Sequence, residues 1–161
     1  LGAGRLVCVD GPAGSGKTTL AVALGGLCSA PVVHMDDLFP GWDGLPQVAD
    51  QLSGLLRPLA EGRAGSYRRY DWHEARFAET VAVPPAELLI IEGVGSGSRV
   101  VADLVTVLVW VEAPYEIRMR RGIERDGDVF APHWLAWAEA ERTHYAAERT
   151  RERADLVVET G

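Results

Sequence analysis

A glycine-rich segment near the start of the sequence carries the residue types that bind phosphate groups. Residues 11–18 read GPAGSGKT and match the phosphate-binding pattern G-x-x-x-x-G-K-[ST] at every fixed position. Such a loop turns successive backbone amides and a helix N-terminus toward the anion. Lys17, the only lysine among the 16 Lys and Arg residues, is expected to reach the outer phosphates. The predicted nucleotide-binding residues are Gly11, Ala13, Gly14, Ser15, Gly16, Lys17, Thr18 and Thr19.

Three carboxylates follow predicted strands and are expected to lie near this loop. Phosphoryl transfer needs Mg²⁺ and a group that orients or deprotonates the acceptor. Asp36 is the predicted base, with Asp37 beside it as a substrate contact. Glu92 ends the apolar run LLII, where an acid holds Mg²⁺ together with the hydroxyl of Thr18. An acidic turn or a helix cap stays open as the alternative for each acid. Asp10 is expected to support the loop through hydrogen bonds.

Several arginines are spaced to share one face of a later helix. Arg118, Arg121 and Arg125 are three and four residues apart. On a helix that follows the fourth strand, such cations could stabilise a transferring phosphoryl group together with Lys17. The alternative is a solvated basic face, in which the arginines pair with neighbouring acids: Glu116, Glu124 and Asp126.

The segment 67–76, with the sequence YRRYDWHEAR, combines aromatic, cationic and acidic side chains. We interpret it as one wall of a substrate site. Aromatic faces there could stack on a flat ring, while Asp71 and Arg76 hydrogen bond to its edge or to a hydroxyl group. A structured surface loop with buried aromatic residues is the alternative.

Five predicted strands alternate with helices and must position these groups. The predicted strands cover residues 5–10, 32–35, 88–91, 104–111 and 154–158, and the helices 17–28, 45–60, 115–125 and 133–153. Residues 61–82 are predicted to be irregular. This order predicts a single α/β P-loop NTPase domain over 1–161, with a doubly wound, five-stranded parallel sheet flanked by helices and with ligands at the carboxyl ends of the strands.

Composition limits the classes of partner. The 161 residues carry a formal net charge of −7, which argues against a broad nucleic-acid footprint. The apolar runs are too short for a membrane span. Cys8 and Cys28 lie in apolar patterns, and no secretory leader is recognised, so a reduced, cytoplasmic location is expected. The expected partner is a small-molecule acceptor, with neither nucleic acid nor membrane, and a homodimer is left open.

In order and spacing, these motifs resemble the uridine kinase-like branch of the P-loop kinases over nearly the whole chain. The segments that carry the resemblance are GPAGSGKTT, HMDDLF, RYDW, LLIIEG, EIRMRR and ADLVV. The resemblance implies that Asp36 is the catalytic base and that Phe39, in place of the usual tyrosine, contacts substrate. It implies the same contact for Tyr70, Asp71 and Trp72. It also implies that Arg118 and Arg121 are lid arginines, which makes them the predicted catalytic residues beside Asp36 and Lys17.

The leading hypothesis is an ATP- and Mg²⁺-dependent transfer of the γ-phosphoryl group to a hydroxyl group of a small metabolite, such as a nucleoside like uridine. Two alternatives stay open. A regulatory nucleotide-binding module would hydrolyse ATP slowly and have no acceptor. A kinase for nucleotides or other phosphometabolites would clamp the acceptor phosphate with arginines of the middle segment: Arg68, Arg69 and Arg76.

Overall fold

The computed structural model describes residues 1–161, apart from the side chain of Val129. Seven strands form two sheets: β1 (Arg5–Asp10), β2 (Val32–His34), β3 (Gly65–Asp71), β4 (Arg76–Val83), β5 (Leu88–Glu92), β6 (Val107–Glu112) and β7 (Leu156–Glu159). The main sheet has the order β2-β5-β1-β6-β7, and every neighbouring pair in it is parallel. This confirms the predicted α/β fold with a five-stranded parallel sheet.

Five helices connect and flank the strands: α1 (Lys17–Cys28), α2 (Val48–Ala60), α3 (Tyr115–Asp126), α4 (Trp134–Glu148) and α5 (Thr150–Arg153). The predicted helix 45–60 begins as a 3-10 turn over Leu45–Gln47. The predicted helix 133–153 is interrupted at Arg149, whose φ of 51° ends α4 in the left-handed conformation. Within the described part of the chain, none of the helices has the length and apolar character needed to cross a membrane.

The sheet is buried on both faces, as the nearly continuous apolar strands predict. Side chains alternate along β1, so Leu6 and Cys8 face one layer while Val9 faces the other. The first layer is filled largely by the apolar face of α2: Leu52, Leu55, Leu56 and Leu59. The second packs against α1 through Ala21. This double cover fixes the carboxyl ends of β1, β2 and β5, where the phosphate loop and the predicted carboxylates follow.

Residues 61–82 were predicted to be irregular, and this prediction is wrong. They contain most of an antiparallel hairpin formed by β3 and β4, in which Tyr67 pairs with Val81 and Tyr70 with Phe77. Polar side chains on both faces hide the two-residue alternation that would have indicated strands. The aromatic and β-branched residues favour strands nonetheless. The hairpin lies beside α2 and carries its turn toward the phosphate loop side of the sheet.

Candidate active site

The phosphate loop leaves β1 through glycines that no other residue could replace without strain. Gly11 has a φ of 141°, and a Cβ atom there would lie 2.0 Å from the carbonyl oxygen of Val111. Gly14 has a φ of 76°, and its Cβ atom would lie 2.3 Å from the carbonyl oxygen of Arg118. Both positions need the left-handed backbone and the close approach that glycine allows. The loop is therefore packed directly against β6 and α3.

Consecutive carbonyl groups of the loop, from Pro12 to Ser15, accept hydrogen bonds from side chains. The donors are Lys17 Nζ to Pro12 O (2.9 Å), Arg118 Nη1 to Ala13 O (3.1 Å), Arg121 Nη1 to Gly14 O (3.4 Å) and Thr160 Oγ1 to Ser15 O. In a trans peptide the N–H points away from the carbonyl group. The amides of Gly14 and Gly16 therefore face away from these donors, as a phosphate cradle requires.

Arg118 and Arg121 were predicted to face the transferring phosphoryl group, but the structure places them elsewhere. Both guanidinium groups lie against the outer side of the loop, and Arg121 also donates to the carbonyl oxygen of Thr160 at 2.6 Å. Neither belongs to the lining of the cavity described below. In the present conformation the two arginines hold the loop backbone and do not face the position of a transferring group.

Glu141 on α4 holds the same loop and was not predicted. Its Oε1 atom accepts hydrogen bonds from the amide of Ala13 at 2.7 Å and from Nε1 of Trp137 at 2.8 Å. Its Oε2 atom lies 3.8 Å from Nη1 of Arg118. Burial raises the pKa of the Glu141 carboxyl, and the nearby charge of Lys17 acts in the opposite direction. One glutamate in a polar helical run gives no sequence signal, because only the fold brings it to the loop.

Asp10 supports the loop through hydrogen bonds, as predicted. Its Oδ1 atom accepts from the amides of Gly11 (2.7 Å) and Gly95 (2.9 Å) and from the hydroxyl of Tyr145 (2.7 Å). Its Oδ2 atom accepts from the amide of Gly97 at 2.8 Å. A fully buried carboxylate thus joins the phosphate loop to the glycine-rich loop that follows β5. The two loops at the ends of neighbouring strands are held as one unit.

Thr18 and Glu92, the predicted Mg²⁺ ligands, lie together. The Thr18 hydroxyl donates to Glu92 Oε1 at 3.1 Å. His34 at the end of β2 contacts the same oxygen through Nδ1 at 2.6 Å, and this hydrogen bond raises the pKa of the imidazole. A hydroxyl and a carboxylate at the foot of a phosphate loop are oxygen ligands of the kind that Mg²⁺ prefers. His34 was not among the predicted site residues, because the HMDDLF segment that it opens was used to assign roles only to its aspartates and to Phe39.

A cavity of about 700 Å³ opens in front of the loop. It contains four of the predicted substrate and catalytic residues outside the loop: Asp36, Asp37, Phe39 and Trp72. Its other lining residues are Ala13, Gly14, Lys17, Thr18, His34, Trp42, His73, Glu92, Gly93, Val94, Arg125, Asp126, Phe130 and Trp137. The phosphate loop and the predicted base thus share one cavity, which is large enough for a small ligand.

The exposed surface of Asp36 opens into this cavity. Reduced solvation in the cleft raises the pKa of the Asp36 carboxyl, and the charge of Glu92 adds to the effect, whereas Lys17 and Arg125 lower it. A carboxyl with a raised pKa is a stronger proton acceptor once it is ionised. Asp36 therefore has the position and the electrostatic surroundings of a general base.

Aromatic side chains form much of the cavity wall. The ring of Trp42 lies 5.0 Å from that of Trp72 and 5.3 Å from that of Phe130, and it stacks on His133 at 4.5 Å. Nε1 of Trp72 donates to the backbone carbonyl of Asp36 at 2.9 Å, which connects the hairpin turn to the base. Trp42, Phe130 and Trp137 were not among the predicted site residues. Trp42 and Phe130 are aromatic residues in connecting segments, which could have drawn attention to them, whereas Trp137 lies within α4.

The remaining predicted substrate residues lie outside the cavity lining and are engaged within the hairpin. Tyr70 packs edge-on against Trp72, with the ring centres 5.3 Å apart. Asp71 accepts hydrogen bonds from the amides of His73 and Glu74, both at 3.0 Å, and so closes the turn. Arg76 is exposed beyond this turn.

The arginines that could have clamped an acceptor phosphate also have partners in the hairpin. Arg69 Nε donates to Glu79 at 2.6 Å, and the guanidinium group of Arg68 lies 5.1 Å from the ring centre of Phe77. The arginine that does line the cavity is Arg125, at the end of α3. Its Nη2 atom donates to Asp126 at 2.7 Å, and this hydrogen bond raises the pKa of the Arg125 guanidinium. The third arginine of the predicted helix face is thus the one near Asp36.

Comparison with solved structures places the fold among the P-loop kinases. A possible uridine kinase from Bacillus stearothermophilus matches with a TM-score of 0.67 and 24% identity, over 96% of this chain and 89% of that one. A candidate fructose transport system kinase from Silicibacter sp. matches with a TM-score of 0.61 and 23% identity, over 96% and 89%. Shikimate kinase from Acinetobacter baumannii, in complex with shikimate, matches with a TM-score of 0.53 and 15% identity, over 99% and 86%.

The family model of the phosphoribulokinase and uridine kinase family matches residues 47–129. This range covers more than half of the chain, from the start of α2 through α3, and the chain belongs to that family. It is a P-loop kinase. The match begins after the phosphate loop, so the loop is identified independently by its own pattern and geometry. A comparison with curated proteins found no match.

Proposed function

We propose that this chain transfers the γ-phosphoryl group of ATP, in the presence of Mg²⁺, to a hydroxyl group of a small unphosphorylated metabolite such as a nucleoside. The observation that carries the proposal is that Asp36 opens into the same cavity as Lys17 and Thr18 of the phosphate loop. In this proposal residues 1–161 act as a single domain that holds the whole site.

Asp36 would accept the proton of the acceptor hydroxyl as its oxygen attacks phosphorus. The bond that forms joins this oxygen to the γ-phosphorus, and the bond that breaks joins that phosphorus to the bridging oxygen, which leaves with ADP. Lys17 and Arg125 lie on the cavity wall and would compensate the negative charge that builds up on the phosphoryl oxygens. We assign this second role to Arg125, because Arg118 and Arg121 are engaged behind the loop.

Thr18 and Glu92 are the residues that would hold Mg²⁺, since their oxygen atoms lie 3.1 Å apart at the base of the loop. When bound, the ion would neutralise the phosphate charges. Glu92 is buried and is fixed by His34, so its carboxylate is already oriented. The carboxylate therefore needs little rearrangement to meet a ligand.

Two observations support this proposal over the alternatives. Of the hairpin arginines that could clamp an acceptor phosphate, Arg69 is paired, Arg68 is stacked on a ring and Arg76 lies outside the cavity lining, which disfavours a phosphometabolite kinase. A regulatory module that has no acceptor needs no acceptor site beside the phosphate loop. The cavity instead extends from the loop to Trp72 and Phe130, which leaves room for an acceptor.

The experiment that tests the proposal is an acceptor screen with ATP and Mg²⁺. Nucleosides, nucleotides, sugars and amino alcohols are each incubated with the wild-type protein, and the products are separated by mass spectrometry. We expect one chemical class of unphosphorylated alcohols to gain a phosphoryl group, with one ADP formed for each product. ADP formation that no acceptor increases would favour the regulatory module, and phosphorylation of nucleotides alone would favour the phosphometabolite kinase.

A further inference from the structure

Asp37 is a carboxylate of the cavity that the proposed reaction does not use. It follows the base directly, lines the cavity and is half-buried. Among the side chains that the structure describes, none lies within hydrogen-bond or ion-pair distance of its carboxylate oxygens. A half-buried carboxylate that lines a ligand cavity and has no partner in the protein is available to pair with a ligand.

Part of the cavity wall is built from aromatic rings set at steep angles to one another. Trp42 and Trp72 are inclined by 63°, and Trp42 and Trp137 by 83°. Phe39 meets Trp137 at 74°. These are edge-to-face contacts in which the rings pack on one another, and Trp72 is the most exposed of them. The negative faces of aromatic rings attract cations, so a ring face that is open to the cavity can hold one.

The charges around the cavity have the sign that complements a cation. Asp36, Asp37, Glu92 and Asp126 line it, against the permanent positive charges of Lys17 and Arg125. Lys17 belongs to the phosphate loop, Arg125 and Asp126 are paired with each other, and His34 is paired with Glu92, which leaves the carboxylates of Asp36 and Asp37. The acceptor side of the cavity therefore keeps a negative excess beside its aromatic wall.

We propose that the acceptor is an alcohol that carries a cationic nitrogen group, either a quaternary ammonium or an N-alkylated aromatic ring. The cation lies against the rings of Trp42 and Trp72 and is paired with Asp37, while the hydroxyl group points to Asp36. This inference rests on the proposed function, because it names the chemical class of the acceptor for the same site.

A matched pair of probes separates the effect of charge from that of shape. 1-(2-Hydroxyethyl)pyridinium and 2-phenylethanol have nearly the same size and the same hydroxyl arm, but only the first is a cation. Their dissociation constants are measured by ligand-observed NMR on the whole protein with ADP and Mg²⁺ present, and glycerol 3-phosphate serves as the anionic probe. We expect the pyridinium to bind about tenfold tighter than 2-phenylethanol, and the anion to bind more weakly than either.

Two variants test the assignment to Asp37 and to the aromatic wall. Asp37→Asn should remove most of the preference for the cation, whereas Glu139→Gln, which removes an equal charge from an exposed position on α4, should leave it unchanged. Trp72→Leu should weaken binding of the cation more than binding of the neutral probe. Trp72→Phe, which keeps an aromatic ring, should retain part of the preference for the cation. Equal binding of the two ring probes to the wild type, or an unchanged preference in Asp37→Asn, would overturn the inference.

The same probes distinguish this inference from the proposed function. Phosphorylation of neutral alcohols with no preference for cations would refute the inference and leave the kinase activity standing. A clear preference for the cation in binding, with no phosphoryl transfer to any alcohol, would refute the proposed function and leave the cation site standing.

Discussion

Replacing Glu141 by leucine should destabilise the protein strongly, whereas replacing it by glutamine should have little effect. Leucine leaves two N–H groups without an acceptor, the partly buried backbone N–H of Ala13 and the buried ring N–H of Trp137. Each unpaired N–H group costs about 1–3 kcal/mol, so the free energy of unfolding should fall by about 2–6 kcal/mol. Glutamine retains an oxygen for both hydrogen bonds, and we expect a loss of at most about 1 kcal/mol.

The pH dependence of the unfolding free energy gives a second test of the role of Glu141. Burial raises the pKa of Glu141 in the folded state above its usual value. The stability that this group contributes is therefore complete at a pH below its unfolded pKa and is lost as the pH rises through its folded pKa. Glu141→Gln has no proton to lose, so the difference in unfolding free energy between wild type and this variant should shift in favour of the variant as the pH rises.

Urea unfolding followed by tryptophan fluorescence measures these effects. Glu139→Leu is the matched control, because Glu139 is exposed on the same helix and should change the unfolding free energy by about 0.5 kcal/mol or less. If Glu141→Gln lowers the free energy of unfolding as much as Glu141→Leu does, the charge of Glu141 holds the loop and the reasoning from hydrogen bonds fails. If leucine costs no more than the control, the contact with Ala13 contributes no stability.

Three further predictions concern the loop and the cavity. Because reduced solvation raises the pKa of Asp36, kcat/KM for the acceptor should fall toward acid with an apparent pKa above the usual aspartate value of 3.8, and a pH–rate profile without that limb would contradict its role as base. Arg125→Gln should lower kcat by about 10³-fold or more with little change in stability, because the proposed function assigns Arg125 to the charge of the transferring group, while exposed Arg120→Gln on the same helix should retain full kcat. Gly11→Ala should abolish stable folding or nucleotide binding because its Cβ atom would lie 2.0 Å from the carbonyl oxygen of Val111, and a variant with a wild-type melting temperature and nucleotide affinity would refute the argument.

The residues that could be predicted from the sequence are those whose roles depend on local pattern. The phosphate loop and Asp10 follow from a fixed motif between a strand and a helix. Glu92 and Asp36 follow from their places after buried strands, since the carboxyl ends of parallel strands meet at one edge of the sheet. The apolar strands predicted the class of fold, because apolar runs without alternation indicate a sheet that is covered on both faces.

The residues that could not be predicted act across long distances in the chain. Glu141 reaches Ala13 across 128 positions, and nothing in its neighbourhood marks it. The arginines of α3 show a related limit. Their spacing correctly indicated a shared face, but the position of the helix relative to the loop decides that Arg118 contacts backbone while Arg125 reaches the cavity. The hairpin was missed because polar residues on both of its faces obscure the alternation of a strand.

The most direct test of the account is a comparison of Asp36→Asn with wild type in phosphoryl transfer and in nucleotide binding. Asp50→Asn is the matched control, because Asp50 is an exposed aspartate on α2. The account predicts that Asp36→Asn binds ATP with nearly wild-type affinity, loses acceptor phosphorylation by about 10²-fold or more, and is at least as stable as wild type, while Asp50→Asn keeps full activity. Acceptor phosphorylation by Asp36→Asn at the wild-type rate would contradict the central claim that Asp36 is the base of a phosphoryl-transfer site.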